Sequence, residues 1–274
     1  KNIILSFTEF SNWYHITFNL YFGELVKDLE VPWHYIPVWI FITTPIFYLV
    51  TFFIGIVGYI SLIIFDLKKR NIEEMLQDFF FLMIITFSLI AIISLNSTLY
   101  NGWRHMYFIY PSIIMVSLLG INFILRIIKK KYIYVIFQLL IIFSLSNTAY
   151  WMVKNHPNQN VYFNNLVREY ANKNFELDYW GLSYKENFEY LLKNEKKDKF
   201  YIWNSSNTKM FYSLFSLNYK DRSKFVEVKN KDNANYWITN YYLDKHNYDS
   251  DFYQKYEIIN EVKVDKISVN SLFK

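Results

Sequence analysis

Four long apolar stretches fill the middle of the chain, and polar segments precede, separate and follow them. Each stretch has about 20 residues or more, which is enough helix to cross roughly 30 Å of hydrocarbon. They cover residues 36–65, 76–95, 106–128 and 132–153. The pattern predicts a membrane all-α bundle of four transmembrane helices over 36–153, with short connections that make two tight hairpins.

The remaining residues, 154–274, are polar and rich in aromatic side chains, and they have the length of a small domain. Short apolar runs typical of strands alternate there with helical patterns. Strands are predicted at 200–203, 225–228, 236–240 and twice within 256–273, and helices at 184–194 and 209–217. This order predicts a small soluble α/β domain after the helical bundle.

Residues 1–35 are too polar to span a membrane. Residues 7–22 mix aromatic and polar side chains at loosely helical spacing, which predicts a helix in the membrane interface; a solvated loop is the alternative. Further on, Pro45 follows two threonines early in the first span, so a kink is expected there. Gly55 and Gly58 suit close contact between helices.

Basic residues flank the apolar stretches unevenly. They occupy the first and third gaps, whereas the second gap holds one base, Arg104. The clusters are Lys68, Lys69 and Arg70, and Arg126, Lys129, Lys130 and Lys131. By the positive-inside rule the first and third gaps are cytoplasmic. Residues 1–35, the loop at 96–105 and the C-terminal domain are then expected on the opposite side.

The amino-acid composition excludes several kinds of binding site. The 274 residues include no cysteine, which excludes disulfides and cysteine-based metal sites. The net charge of +5 sits mainly in the flanking clusters, so nucleic-acid binding is not expected. The histidines His15, His156 and His246 lie far apart, and there is no glycine-rich phosphate loop, so neither a metal nor another cofactor is predicted. Because the chain begins with Lys1 and shows no signal peptide, we expect that an N-terminal part is missing.

The strongest candidate site is the short second gap. Arg104 and His105 stand there between Trp103 and Tyr107. An arginine can hold a phosphate through a bidentate fork, and a histidine can add a donor or move a proton. We therefore expect this loop to bind the phosphate of a lipid-linked substrate. The alternative is an interfacial arginine that reaches bulk headgroups.

A second candidate lies ahead of the first span, where Trp33, His34 and Tyr35 are consecutive. Their amphipathic rings suit headgroup depth, so they are predicted as further lipid-phosphate contacts. The alternative for His34 is an ordinary interfacial histidine.

A third candidate lies in the tail. Glu176 and Asp178 are two residues apart and can act as acid and base, although capping a turn or binding lysines is the favoured role. Asp178, Tyr179 and Trp180 would contact an acceptor or a sugar if they lined one cleft. Burial of Trp180 would instead indicate a structural role, and burial is expected.

Four segments occur in the same order in a known family. They are PWHYIPVWIFITTP at 32–45, YNGWRHMYFIYP at 100–111, HPNQNVYFNNLV at 156–167 and ELDYWG at 176–181. The chain resembles the bacterial GT-C membrane glycosyltransferases, and more narrowly their dolichyl-phosphate-mannose–protein mannosyltransferase-like branch. The closing run at 256–274 is also similar, so the resemblance covers nearly the whole chain.

The resemblance implies an inverting enzyme of the bacterial inner membrane, with its C-terminal domain in the periplasm. Such an enzyme takes a sugar from a polyprenyl-phosphate donor and transfers it to a glycan, lipid or protein acceptor. Basic groups neutralise the departing phosphate, a role that Arg104 and His105 match. The family's catalytic acid has no counterpart here and is expected upstream, so the chain is predicted to be a catalytically incomplete C-terminal portion.

Two other functions remain open. A non-enzymatic membrane anchor that presents a periplasmic binding domain is the main alternative. A transporter or flippase subunit is the other, but it predicts ionisable residues within the spans, and these spans contain almost none.

Overall fold

A computed structural model describes residues 17–66, 72–243 and 255–274, and the chain in it divides into two compact units. The helical unit comprises Thr17, residues 27–151 and residues 163–166. The second unit comprises residues 18–26, 152–162 and 167–274, of which 244–254 lie outside the described residues. A single boundary at residue 154 was expected, whereas the chain changes unit after residues 17, 26, 151, 162 and 166. The predicted basic cluster Lys68–Arg70 and the histidines His15 and His246 lie outside the described residues.

Four helices of the first unit are long and apolar enough to cross a membrane, as predicted. The spanning segments are Ile46–Ile64, Ile72–Ser94, Arg104–Ile127 and Lys131–Lys154. The helices themselves are α1 Tyr35–Thr43, α2 Ile46–Asp66, α3 Ile72–Ser94, α4 Tyr110–Ile127 and α5 Lys131–Lys154. A 3₁₀ turn, Arg104–Ile109, leads into α4.

The first span differs from its predicted form. The apolar run 36–65 is divided into α1 and α2, because Thr44 adopts an extended conformation (φ −101°, ψ 136°) between them. A residue that precedes proline avoids the helical region, and Pro45 itself has no N–H to donate to the helix. The expected kink is thus a complete break, and the spanning segment begins at Ile46.

Helices α2 and α4 approach each other at two glycines. A Cβ atom on Gly55 would lie 2.0 Å from the carbonyl oxygen of Val116, and one on Gly120 would lie 1.9 Å from that of Thr51. The Ser117 hydroxyl also lies 3.0 Å from the carbonyl oxygen of Tyr48 on the facing helix. The prediction that Gly55 serves close helix contact is confirmed.

The second expected hairpin has its short connection but not its packing. Residues 128–130 join α4 to α5. Along α5, which the structure describes in full, only Trp151 is buried. The tight pairing predicted for the third and fourth spans is therefore wrong, although α5 has the predicted length.

The second unit is an α/β unit built on a mixed five-stranded sheet. Its strands are β3 Phe200–Asn204, β4 Phe225–Glu227, β5 Tyr236–Thr239, β6 Ile258–Val264 and β7 Ile267–Phe273. Their order in the sheet is β4-β3-β5-β7-β6. Strand β3 is parallel to β4 and β5, whereas β7 is antiparallel to β5 and β6. Its helices are α6 Ala171–Asn174, α7 Tyr184–Asn194, α8 Met210–Leu214 and α9 Tyr219–Arg222. The predicted strands and the predicted helix at 184–194 are confirmed.

The core of this unit lies between α7 and one face of the sheet. Large side chains fill it, and many are aromatic. Its fully buried members include Tyr184, Phe188, Phe200, Ile202 and Tyr236.

An additional hairpin precedes the helices. Strands β1 Phe18–Tyr21 and β2 Glu24–Lys27 are joined by a two-residue turn at Phe22 (φ 51°) and Gly23 (φ 83°). Positive φ at both central residues is the geometry that matches the twist of paired strands. The interfacial helix predicted over 7–22 is therefore wrong at residues 18–21, and residues 7–16 lie outside the described part of the chain.

Candidate functional site

Arg104 and His105 lie around one aromatic ring. The guanidinium carbon of Arg104 is 4.3 Å from the centroid of the Tyr100 ring. The His105 ring meets the same ring edge-on, with centroids 4.7 Å apart. Arg104 is half-buried and His105 is exposed. A cation–π contact holds the guanidinium over the aromatic face, so the Tyr100 ring orients this pair.

Sequence reasoning missed Tyr100 as a site residue. Its position shortly before the Arg-His pair, on a loop short enough to fold back on itself, could have indicated this contact. Asn101 (φ 57°) and Gly102 (φ 68°) turn the chain between them, which lets Arg104 return over the ring. Tyr100 is therefore the side chain that positions both candidate phosphate contacts.

The same loop is fastened to α1. The Gly102 N–H donates a 3.1 Å hydrogen bond to the Tyr35 hydroxyl oxygen. The indole nitrogen Nε1 of Trp103 donates a 2.9 Å hydrogen bond to Oγ1 of Thr43, at the end of the helix. Two separate contacts thus fix the loop that carries Arg104.

The three consecutive candidates ahead of α1 take different positions. Trp33 has 69% of its surface exposed, and His34 packs edge-on against it at 5.4 Å. Tyr35 is fully buried, and its hydroxyl is engaged with Gly102. Trp33 is exposed and His34 is half-buried beside it. Tyr35 holds the loop in place and does not reach a surface ligand as we had expected.

The segment at 163–166 also packs on α1. The Asn164 side-chain amide donates hydrogen bonds to the carbonyl oxygens of Phe41 (2.6 Å) and Thr44 (3.1 Å). The backbone N–H of Asn164 donates to the carbonyl oxygen of Ile42 (2.9 Å). These are carbonyls that the break at Thr44 leaves without helical partners. Residues 163–166 therefore bond to the end of α1, which the loop of Arg104 also contacts.

The space beside Trp33 is small. A cavity of about 70 Å³ lies between the segment before α1 and the C-terminal end of α3. Ligand pockets usually measure about 300–1,000 Å³. This cavity accepts a few methylene-sized groups and is too small for a sugar.

Asp178 lies in the interior of the second unit. Its carboxylate accepts hydrogen bonds from the N–H groups of Leu182 (3.1 Å) and Ser183 (2.9 Å), from the Ser183 hydroxyl (2.5 Å) and from the Asn160 amide (3.1 Å). Burial raises the pKa of Asp178, and these hydrogen bonds oppose the rise. For Asp178, the structure shows capping of a turn, one of the two roles favoured for the pair of Glu176 and Asp178. Such a buried, fully bonded carboxyl group is poorly placed for acid–base work on a substrate.

Tyr179 and Trp180 point elsewhere. Trp180 is 53% exposed and packs 5.5 Å from the half-buried Tyr179 ring. The expected burial of Trp180 is wrong, because Gly181 (φ 72°) turns the chain and leaves the indole outside while Asp178 faces inward. The three residues therefore do not line one cleft.

Among the described residues, no three histidine, cysteine, aspartate or glutamate side chains are close enough together to hold a metal ion. Comparisons with protein-family models, with curated proteins and with solved structures find no match to this chain. The described residues thus define a chain with four helices that are long and apolar enough to cross a membrane and with a five-stranded α/β unit.

Proposed function

We propose that this chain is the C-terminal portion of an integral-membrane glycosyltransferase of the bacterial inner membrane, and that the complete enzyme moves a sugar from a polyprenyl-phosphate donor to a periplasmic acceptor. One observation carries the proposal: two of the family-like segments, 32–45 and 100–111, are joined by hydrogen bonds beside the turn of Arg104 and His105. Segments distant in sequence converge on one loop, and that loop presents a permanent cation at the start of an apolar helix.

The proposed chemistry assigns one task to this loop. In the transfer, the acceptor oxygen bonds to the anomeric carbon as the bond from that carbon to the phosphate oxygen breaks. The acceptor proton goes to a carboxylate expected upstream. Arg104 then neutralises the departing phosphate, while His105 and Trp33 contact the same headgroup. The chain would supply leaving-group stabilisation and would not catalyse transfer alone.

The test is binding of a polyprenyl monophosphate to the chain in phosphatidylcholine nanodiscs, measured by native mass spectrometry. Arg104→Ala should weaken binding by about tenfold or more, because it removes a charge-assisted contact worth about 1.5–3 kcal/mol. Arg126→Ala is the matched control, since it removes the same charge from the last turn of α4. Equal affinity for the wild-type chain and Arg104→Ala would refute the proposal.

The predicted orientation in the membrane has its own test. Because the chain contains no cysteine, single introduced cysteines can be labelled without background. A cysteine at Ser97 should react with a membrane-impermeant maleimide in intact spheroplasts. A cysteine at Lys130 should react only after lysis, because it belongs to the predicted cytoplasmic gap. The opposite labelling pattern would remove the periplasmic donor site from the proposal.

A second candidate function is the non-enzymatic membrane anchor that presents a periplasmic binding domain. It is favoured by an aromatic-lined opening in the second unit, between β3, β5 and Tyr256. This function requires no lipid-phosphate contact at Arg104, so the two candidates differ in the outcome of the Arg104→Ala measurement.

A further inference from the structure

One face of the sheet in the second unit carries two tryptophans side by side. Trp203 on β3 and Trp237 on β5 are paired in register, with ring centroids 4.9 Å apart. Their neighbours Ile202 and Tyr236 belong to the core beneath α7. Since successive side chains alternate between the faces of a sheet, the tryptophans lie on the face opposite that helix.

An opening of about 260 Å³ lies against this aromatic face. The Tyr256 ring stands edge-on to Trp237, with centroids 4.4 Å apart and an angle of 89° between the rings, and forms a second wall. Trp237 is buried at the base, whereas Trp203 and Tyr256 are half-exposed. The volume is slightly below the range of about 300–1,000 Å³ for drug-sized ligands. It therefore suits one compact ring-shaped ligand.

Polar side chains surround the opening on one side. Lys231, Asp232 and Asn235 line it, and all three are exposed. Within the described part of the chain, no hydrogen bond or ion pair engages their side-chain polar atoms. Together they offer ammonium donors, carboxylate acceptors and an amide that does both. An aromatic base with a mixed donor and acceptor rim is thus available to a ligand.

We propose that this opening binds one hexopyranose unit of a glycan. A pyranose ring has an apolar face of C–H groups, which packs on an indole, and a rim of hydroxyl groups that both donate and accept hydrogen bonds. Trp203 matches the first property, and Lys231, Asp232 and Asn235 match the second. An entirely apolar ligand would make no use of this polar rim, and two lysines, Lys231 and Lys274, against the one carboxylate of Asp232 disfavour a cation.

This site is separate from the loop of Arg104, and it does not rest on the proposed transfer reaction. It also differs from the sugar contact expected at Asp178, Tyr179 and Trp180. A failure of either proposal can therefore be recognised without the other.

The test uses the whole chain in nanodiscs, which avoids sugar-based detergents. The labelled chain is applied to an array of bacterial glycans, and the retained glycans are then titrated by saturation-transfer NMR. We expect a dissociation constant of about 1 mM or tighter. Saturation should be strongest at the ring C–H protons that pack on the indole.

Three variants make the site falsifiable. Trp203→Ala should weaken binding by about tenfold. Asn235→Ala changes an exposed side chain, so it should keep the fold and weaken binding by about threefold. Trp180→Ala removes an exposed aromatic ring from the same unit and should bind as the wild type does. If the wild-type chain retains no glycan, or if Trp203→Ala and Asn235→Ala both bind normally, the proposal is wrong.

Discussion

The two units of this chain are packed by opposite means. In the helical unit, α2 and α4 meet backbone to backbone, at positions where even a methyl group on Gly55 or Gly120 would overlap a carbonyl oxygen. In the second unit, large rings such as Tyr184 and Phe188 fill the space between helix and sheet. In a bilayer, apolar side chains gain little by leaving lipid, so close backbone contact holds helices together. In water, burying aromatic surface drives association.

Their buried polar groups differ in the same way. In the helical unit, hydroxyls such as that of Thr51 return to the backbone of their own helix, 2.9 Å from the Phe47 carbonyl oxygen. In the second unit, side chains form a continuous network. Ser183 lies 2.5 Å from Asp178 and 3.1 Å from the Asn270 amide, and Asn270 is bonded in turn to Asn187 at 2.7 Å. Some polar groups of the helical unit also join distant segments, as Trp103 and Thr43 do, but those of the second unit form one continuous network.

The largest effect is expected from a substitution that breaks the backbone contact between α2 and α4. Gly120→Val should destabilise the helical unit by about 3 kcal/mol or more, because its Cβ would fall 1.9 Å from the Thr51 carbonyl oxygen and no side chain can move aside. Hydrogen exchange followed by mass spectrometry should show faster exchange in α2 and α4.

The control is Ala149→Val, which adds side-chain bulk to an exposed position on α5. It should leave exchange in α2 and α4 unchanged. Wild-type exchange in Gly120→Val would contradict the assignment of this glycine to the tightest contact in the pair.

Much of this architecture could be predicted from the sequence. Hydropathy alone predicted the four apolar helices, since length and composition decide whether a helix can span. Alternation and turn residues predicted β3 to β7, because those strands are bounded by polar clusters. The hairpin at residues 18–27 was missed, since its aromatic residues also fit a helical period. Only the glycine at position 23 indicated a turn.

The candidate site was less predictable, because it depends on contacts between distant residues. Nothing in the order of Trp33, His34 and Tyr35 shows that Tyr35 alone turns inward to meet Gly102, 67 residues further along the chain. Likewise, the direction of Trp180 depends on the backbone at Gly181. Period and composition report which residues are apolar, but not which of two adjacent polar aromatic residues becomes buried.

The next largest effect is expected from a substitution that breaks the polar network of the second unit. Asp178→Asn keeps the shape of the side chain but turns an acceptor into a donor facing other donors, including the N–H of Ser183. We expect a loss of about 2–3 kcal/mol of unfolding free energy, because buried donors then lack acceptors. Faster exchange in residues 178–183 would locate the loss, and Asn194→Asp at an exposed helix end is the matched control.

The pH dependence of the unfolding free energy tests the role of Asp178 further. Burial raises the pKa of Asp178 in the folded chain above its ordinary value. A group of this kind contributes stability that is complete below the unfolded pKa and is lost as pH rises through the folded pKa. The stability difference between wild type and Asp178→Asn should therefore shrink as pH rises from about 4, the ordinary pKa of an aspartate, toward neutrality. A difference that grows over this range would show that the hydrogen bonds outweigh burial.

The smallest expected effect tests a contact of the helical unit that, like the network of the second unit, joins distant segments. Tyr35→Phe removes the acceptor of the Gly102 N–H without creating a cavity, so it should cost about 1 kcal/mol. Thermal unfolding in nanodiscs measures the cost, with Tyr150→Phe on the exposed face of α5 as the matched control. Because Gly102 stands two residues before Arg104, the variant should also weaken polyprenyl-phosphate binding by about twofold to threefold. If stability falls while binding is unchanged, the loop holds Arg104 through Trp103 and Thr43 instead, and the tyrosine serves packing alone.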